Sequence, residues 1–173
     1  MKKEVGDRIT FQGDPLTLVG EVPPVGQPAP NATLLDNDLN EVKLSDFHGK
    51  TRILSVAPSL DTPVCDAQTR RFNQEAGRLG DVVILAISMD LPFAQKRWCG
   101  AAGVQAVHTL SDHREAEFGL AYGLLIKELR LLARAVIVLD GEGTVRYVQV
   151  VPEITNEPDY DAVLQAAAEL NKT

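Results

Sequence analysis

The amino-acid sequence predicts an α/β fold with a mixed central sheet. Two continuously apolar runs, at 52–57 and 81–88, have the length and character of buried parallel strands. A segment with helical periodicity follows each run, so strand and helix alternate along this part of the chain. Two apolar segments flank a turn at 140–143, and they predict a late hairpin that adds antiparallel strands to the sheet.

The N-terminal quarter of the chain is predicted to contain a hairpin, an extended connector and two short strands. Apolar segments on both sides of the turn Gly13-Asp14-Pro15 indicate the hairpin, which we place at residues 8–19. Prolines recur between 22 and 31 and exclude a helix there, so this connector is extended. The segment 32–44 then reads as a strand, a turn at Asp36-Asn37-Asp38 and a second short strand.

The remainder of the chain predicts three further helices. The first follows Asp90, which we expect to be its N-cap, with Pro92 in its first turn and Gly100 and Gly103 at its end. The other elements are a strand at 107–110, a helix at 113–122, the late hairpin and a final helix from about 159 to 170. With 173 residues, we expect one domain that spans 1–173.

Composition and charge exclude several classes of protein. The net charge is −7, whereas nucleic acids and anionic membranes bind basic surfaces, so we expect neither as a partner. Residues 1–8 are charged and no apolar signal segment follows them, and the apolar runs have only strand length. These features predict a cytoplasmic location. Two cysteines in a cytoplasmic protein indicate redox or metal chemistry rather than a disulfide scaffold.

The segment Pro58–Cys65 links the strand at 52–57 to a helix and carries the first candidate for chemistry. Thr62 is a suitable N-cap and Pro63 suits the first helical position, so Cys65 falls in the first turn. Unpaired N–H groups and the positive end of the helix dipole favour a thiolate at that position. The residues alone leave two alternatives open: a reactive thiolate, or a buried cysteine that packs as a small apolar side chain.

Four segments of the chain resemble bacterial thiol peroxidases, the atypical two-cysteine peroxiredoxins. Pro58-x-x-x-Thr62-x-x-Cys65 matches the peroxidatic signature of peroxiredoxins. Asp90–Gly100 looks like the resolving-cysteine helix of thiol peroxidases, Leu132–Val136 like the segment of their active-site arginine, and Glu153–Tyr160 like their C-terminal signature. The segments follow the family's order and span nearly the whole chain. This resemblance implies a thioredoxin-like fold with an added N-terminal hairpin.

The resemblance also implies a role for each candidate residue. Cys65 attacks the peroxide and becomes a sulfenic acid, Thr62 holds the peroxide in line, and Pro58 shields the pocket. Arg134 stabilises the thiolate and Cys99 resolves the sulfenic acid as an intramolecular disulfide. From position alone, Arg134 would equally well pair with a carboxylate, and Cys99 would be an inert helix cysteine.

The expected function is peroxide reduction in antioxidant defence and redox homeostasis. It requires no metal, flavin or haem, and the resemblance implies thioredoxin as electron donor and a homodimeric assembly. One alternative is a thiol–disulfide oxidoreductase on the same fold, although the sequence has no C-x-x-C motif. Another is a non-catalytic binding module in which Cys65 is only packed. None of the three histidines has metal-ligand spacing with a cysteine.

The positions of the two cysteines predict a conformational change. Cys99 lies seven residues beyond Pro92 (99 − 92), or roughly 10 Å further along its helix at about 1.5 Å per residue. A disulfide requires Cα atoms within about 7 Å. We therefore expect the reduced fold to hold the two sulfurs apart, and local unwinding around Cys65, Cys99 or both to precede the disulfide.

Overall fold

A seven-stranded mixed sheet forms the centre of the protein in a computed structural model that describes residues 2–170. The strands are β1 (Glu4–Phe11), β2 (Asp14–Val19), β3 (Thr33–Leu35), β4 (Glu41–Lys43), β5 (Thr51–Val56), β6 (Val82–Ser88), β7 (Val107–Ser111), β8 (Leu125–Ile126), β9 (Leu131–Leu132), β10 (Ala135–Leu139) and β11 (Val145–Val150). The α-helices are α1 (Pro63–Glu75), α2 (Pro92–Ala102), α3 (Glu117–Ala121) and α4 (Tyr160–Leu170). None of the helices within residues 2–170 has the length and apolar character needed to cross a bilayer.

The strand order of the central sheet confirms the predicted α/β fold. The order is β11-β10-β5-β6-β7-β3-β4, with β5, β6 and β7 parallel to one another. β10 pairs antiparallel with β5 and β11 antiparallel with β10, so the late hairpin extends the parallel core as expected. The central strand β5 is buried along its whole length and β6 from Ile84 to Ser88, which explains why both read as continuous apolar runs.

Apolar side chains on the two faces of the sheet form two separate cores. One core packs α1, α2 and α4 against one face of the sheet, through residues that include Ile53, Phe72, Ile84, Val136 and Val163. The other face is covered by α3 and by a second, four-stranded sheet of order β1-β2-β8-β9. Neighbouring residues of β5 point to opposite cores, Ile53 to the helices and Leu54 to the second sheet.

Strands β8 and β9 have two residues each, and the sequence pattern does not predict them. Strand β8 forms because β2 offers a partner, with Leu18 paired to Ile126 and Val19 to Leu125, and β9 pairs in turn with β8. Two residues carry no measurable periodicity, so only this long-range pairing identifies them as strands. They enlarge the N-terminal hairpin, whose first strand begins at Glu4, before the predicted range of 8–19.

The predicted helix at 113–122 is wrong in length, since α3 covers only Glu117–Ala121. Ala116 adopts a left-handed conformation with φ of 53°, and no helix passes through such a residue. The buried carboxylate of Asp112 instead accepts the N–H groups of Phe118 and Gly119, at 3.0 and 2.8 Å. Burial raises the pKa of Asp112 to about 6, in spite of these two hydrogen bonds.

The predicted N-cap of α2 is also wrong. The N-cap position is Leu91, which has no side-chain capping bond, and the helix begins at Pro92. The carboxylate of Asp90 turns away from the helix and accepts hydrogen bonds from the loop between β5 and α1. At the other end Gly103 terminates α2 in a left-handed conformation with φ of 69°, as expected, whereas Gly100 lies inside the helix.

Candidate active site

Cys65 lies in the first turn of α1, where the sequence places it, and its side chain is 0% exposed. Pro63 occupies the first helical turn and Thr62 is the N-cap position, with extended φ and ψ of −105° and 147°. The Thr62 hydroxyl does not cap the helix. It donates to the main-chain oxygen of Ser59 at 2.9 Å, so its oxygen keeps its lone pairs for another donor. Thr62 is exposed and lies three residues before the buried Cys65, at the start of the same helix.

Arg134 contacts the sulfur of Cys65 directly. Its Nη2 donates to Sγ at 3.1 Å, and the side chain is only 2% exposed. Its Nη1 and Nε donate to neutral acceptors, namely Gln68 Oε1 at 2.8 Å and the main-chain oxygen of Ile154 at 2.9 Å. No carboxylate within residues 2–170 forms a salt bridge with Arg134. Among the hydrogen-bond acceptors of Arg134 in residues 2–170, the sulfur of Cys65 is the only one that is able to carry a negative charge.

Gln68 is a buried residue of the site that the sequence analysis did not single out. It follows Cys65 by one helical turn and is 0% exposed. Its Nε2 donates to Ser55 Oγ at 2.7 Å and to the Val56 oxygen at 3.3 Å, which leaves Oε1 for Arg134. Gln68 therefore fixes the guanidinium in the plane that reaches the sulfur. The sequence feature that could have indicated Gln68 is its position as a polar residue on the apolar face of the helix predicted after Cys65.

Pro58 is buried at the start of the loop that connects β5 to α1. Next to it, Ser59 and Leu60 are held by the carboxylate of Asp90, at 2.7 Å in each case. Pro58 and Thr62 thus belong to one loop whose backbone is fixed from outside, by the residue that precedes α2 by two positions. The structure brings Cys65, Thr62, Pro58 and the Arg134 side chain to the same end of β5.

Cys99 is not part of this cluster. It is half-buried in the second half of α2, and its Sγ lies 3.5 Å from Thr109 Oγ1 on β7. Thr109 donates its own hydroxyl proton to Asn37 Oδ1 at 2.8 Å, so the thiol of Cys99 is the donor to Thr109. Cys99 also lines a cleft of about 430 Å³ with Asp38 and His108.

Both cysteines are free thiols, and their surroundings are separate. Cys65 contacts Arg134, which directly precedes β10, whereas Cys99 contacts Thr109 on β7. Between β10 and β7 lie β5 and β6, so the two strands are three spacings apart, or about 14 Å. A disulfide between Cys65 and Cys99 would therefore require a rearrangement of α1, α2 or both.

A polar contact beside the two cysteines links α1 to α2. Trp98 Nε1 donates to Asp66 Oδ1 at 2.8 Å, and Asp66 also accepts Arg70 Nε at 2.7 Å. The Arg70 guanidinium lies over the Trp98 ring, 5.6 Å from its centroid. Asp66 follows Cys65 in the chain and Trp98 precedes Cys99. The two cysteine-bearing helices are thus joined by side chains adjacent in the chain to Cys65 and to Cys99.

Across residues 2–170 there is no group of three or more His, Cys, Asp or Glu side chains placed to hold a metal ion.

Tyr160 packs edge-on against Phe72 with ring centroids 5.5 Å apart, and its hydroxyl donates to Glu157. Burial raises the pKa of Tyr160, so this phenol remains neutral and closes the helical core next to Arg134.

Comparison with known proteins identifies the relatives of the chain. A family model described as Redoxin matches residues 24–164. The chain is 58% identical to a thiol peroxidase of Bacillus subtilis, over 95% of this chain and 98% of that protein. It is 57% identical to a thiol peroxidase of Oceanobacillus iheyensis over the same shares.

Solved structures agree with this sequence similarity. A peroxiredoxin-like protein from Aquifex aeolicus has a TM-score of 0.89 and 42% identity, over 95% of this chain and 97% of that one. A thiol peroxidase from Chromobacterium violaceum, at 22% identity, has a TM-score of 0.83 over the same shares and shares the fold.

Proposed function

The chain belongs to the Redoxin family, among the thiol peroxidases of the peroxiredoxin type, and we propose that it reduces hydroperoxides through Cys65 and Cys99. The observation that supports this assignment of roles is the contact of 3.1 Å between Arg134 Nη2 and Cys65 Sγ. A buried guanidinium whose other acceptors are neutral stabilises a thiolate at that position. The substrates we propose are hydrogen peroxide and organic hydroperoxides.

The first step is attack of the Cys65 thiolate on one peroxide oxygen. An S–O bond forms and the O–O bond breaks, so the sulfur is oxidised to a sulfenic acid. The second oxygen leaves with the electron pair of the broken bond and takes up a proton, which gives water or an alcohol. The Thr62 hydroxyl donates to Ser59 and thereby accepts the peroxide O–H, which holds the O–O bond in line. Arg134 and the first-turn amides stabilise negative charge on the oxygens.

The second step joins the two sulfurs of one chain. The Cys99 thiolate attacks the sulfur of the Cys65 sulfenic acid, the S–S bond forms, and the S–O bond breaks with release of water. The sulfurs start in separate surroundings, so α1 or α2 unwinds locally before this step. Pro58 shields the first step from bulk water, because it is buried where the loop leaves β5.

The third step returns two electrons to the disulfide. We assign this step to thioredoxin, whose dithiol exchanges with the Cys65–Cys99 disulfide and is itself oxidised. The reaction needs both cysteines reduced at rest, which fits a reducing compartment such as the cytoplasm. Family resemblance supports a homodimer as the working assembly. The function is thereby removal of peroxide in antioxidant defence.

The test is peroxide consumption coupled to thioredoxin, thioredoxin reductase and NADPH, with wild type, Cys65→Ser and Cys99→Ser compared. We expect wild type to turn over and Cys65→Ser to be inactive. Cys99→Ser should react once and then stop as a sulfenic acid that dimedone labels. Denaturing mass spectrometry without reductant should show an intramolecular Cys65–Cys99 disulfide in oxidised wild type.

Two results would contradict the proposal. Sustained turnover by Cys65→Ser would remove Cys65 from the reaction, and a disulfide between two chains would remove the intramolecular route. The same samples test the alternative oxidoreductase. A wild-type protein that reduces a disulfide substrate and leaves peroxide unconsumed would favour that function, although a 0% exposed Cys65 is poorly placed to attack a protein disulfide.

A further inference from the structure

Asp90 is the centre of a hydrogen-bond network between the Cys65 loop and the Cys99 helix. Its Oδ1 accepts Ser59 Oγ at 2.7 Å, and its Oδ2 accepts the Leu60 N–H at 2.7 Å and Ser88 Oγ at 2.9 Å. No lysine, arginine or histidine forms a salt bridge with Asp90 in the part of the chain that the structure describes. A half-buried carboxylate with three short hydrogen bonds and no cation is held by those donors alone.

In one direction the network reaches Thr62. Ser59, which donates its hydroxyl to Asp90, accepts the Thr62 N–H at 3.2 Å and the Thr62 hydroxyl at 2.9 Å on its main-chain oxygen. Ser59 Oγ also accepts the Asp61 N–H at 3.2 Å. The position of the Thr62 hydroxyl therefore depends on Ser59, and the position of Ser59 depends on Asp90.

In the other direction the network reaches α2, one turn before Cys99. Ser88 Oγ, which donates to Asp90, accepts Gln95 Nε2 at 3.1 Å. Gln95 is fully buried and also donates to the Leu110 oxygen at 2.9 Å. Its Oε1 is buried and has no hydrogen-bond partner in residues 2–170. The side chain of Gln95 therefore holds α2 through its amide nitrogen alone. The loop of Thr62 and the helix of Cys99 are thus connected through the carboxylate of Asp90.

We propose that Asp90 is a positioning residue for both chemical steps, an inference that rests on the proposed function. Asp90 touches no reacting atom. It holds the loop in the form that presents the Thr62 hydroxyl to peroxide, and it releases the loop when Cys65 leaves the first turn of α1 to meet Cys99. The same hydrogen bonds therefore favour the first step and oppose the second.

This double role predicts effects of opposite sign in Asp90→Ala. The loop loses the acceptor of the Ser59 hydroxyl and of the Leu60 N–H, so Thr62 is less well fixed. A displacement of about 1 Å costs on the order of 100-fold in rate, and we expect peroxide attack to slow by about 10- to 100-fold. The free energy needed to open the loop falls by about the net contribution of one charged hydrogen bond. Disulfide formation should therefore accelerate by roughly tenfold.

Asp90→Asn separates geometry from charge. The amide oxygen replaces Oδ2 as acceptor of the Leu60 N–H and of Ser88 Oγ, and the amide nitrogen donates to Ser59 Oγ, because a hydroxyl both donates and accepts. We expect both rates within about threefold of wild type, since all three contacts persist. Ser59→Ala removes one of the three contacts and should shift both rates in the direction of Asp90→Ala, by less.

The experiment is single-turnover rapid quench of the full-length protein with hydrogen peroxide, followed by mass spectrometry. It measures formation of the sulfenic acid and of the disulfide separately. Asp81→Ala is the matched control, because Asp81 is an exposed carboxylate that pairs with Lys50 at 3.2 Å and forms no hydrogen bond with the Cys65 loop or with α2 in residues 2–170. Both of its rates should match wild type. Circular dichroism and the melting temperature confirm the fold of each variant.

The opposite signs distinguish the proposal from simple destabilisation. If Asp90→Ala slows both steps, or changes neither, Asp90 is structural only and the inference is wrong. Should Asp90→Ala not fold, Ser59→Ala decides by the same criterion. Rates in Asp90→Asn that differ from wild type as much as those of Asp90→Ala would also overturn it. A wild type that leaves peroxide unreacted overturns the proposed function and the inference together, whereas a reactive wild type with parallel changes overturns the inference alone.

Discussion

Replacement of Arg134 by methionine tests the electrostatic basis of the site. The substitution keeps an unbranched apolar stem and removes the guanidinium that lies 3.1 Å from Cys65 Sγ. Two unit charges about 4 Å apart attract by about 4 kcal/mol at an effective dielectric constant near 20. A charged hydrogen bond contributes about 1.5–3 kcal/mol to stability, which sets the lower limit.

These limits convert into rates. A loss of about 1.5–4 kcal/mol in thiolate stabilisation corresponds to a decrease of roughly 10- to 1000-fold in peroxide reduction. The same decrease should appear in alkylation of Cys65 by iodoacetamide at neutral pH, because alkylation also requires the thiolate. The assays are stopped-flow peroxide reduction and timed alkylation with peptide mapping.

Arg71→Met is the matched control for Arg134→Met. Arg71 is a cation on the exposed side of α1 that pairs with Glu75 and stacks on Tyr160, and it has no contact with Cys65. We expect its peroxide and alkylation rates to match wild type. Unchanged rates in Arg134→Met, with the fold intact by circular dichroism, would refute the role of the guanidinium and make Arg134 a structural residue.

Two further predictions concern pH and redox state. Asp112 has its pKa raised by burial from 3.8 to about 6, so the folded state binds this proton more tightly than the unfolded state. The resulting stabilisation is fully present below pH 3.8 and is lost as the pH rises through about 6, by up to about 3 kcal/mol. Urea unfolding of wild type relative to Asp112→Asn between about pH 4 and 7 measures this change, and a difference independent of pH would contradict it. Trp98 is the single tryptophan of the sequence, and its hydrogen bond to Asp66 should break when the cysteines join. Its emission should therefore change on addition of peroxide and recover with dithiothreitol. The same addition should leave the emission of Cys65→Ser unchanged, and a change in that variant would separate the signal from the disulfide.

The parts of the site that the sequence predicted are those set by neighbours in the chain. Pro63 and Thr62 define the start of α1, and they place Cys65 in its first turn without any tertiary contact. Continuous apolar runs identified β5 and β6, because central strands are buried on both faces. The resemblance added candidate roles for Arg134 and Cys99, which position alone had left open.

The parts that the sequence did not predict depend on distant partners. Gln68 became part of the site through Ser55, 13 residues away, and Arg134, 66 residues away. Asp90 has the residue type of an N-cap, but its carboxylate instead accepts hydrogen bonds from Ser59 and Leu60, which lie 31 and 30 residues earlier in the chain. Local propensity predicts which bonds a side chain is able to make, and tertiary contacts decide which of them form.

The hydrogen bond from Arg134 Nε to the Ile154 oxygen has a consequence during protein synthesis. Ribosomes add about 5–20 residues per second, so Cys65 is made roughly 4–18 s before Ile154, which follows it by 89 residues (154 − 65). Until the chain has passed Arg134 and Ile154, the cysteine has no anchored guanidinium beside it. With the role proposed for Arg134, we expect the Cys65 thiol of a nascent chain to react with peroxide more slowly than that of the folded protein. The order of synthesis would then delay the reaction until the protein is nearly complete.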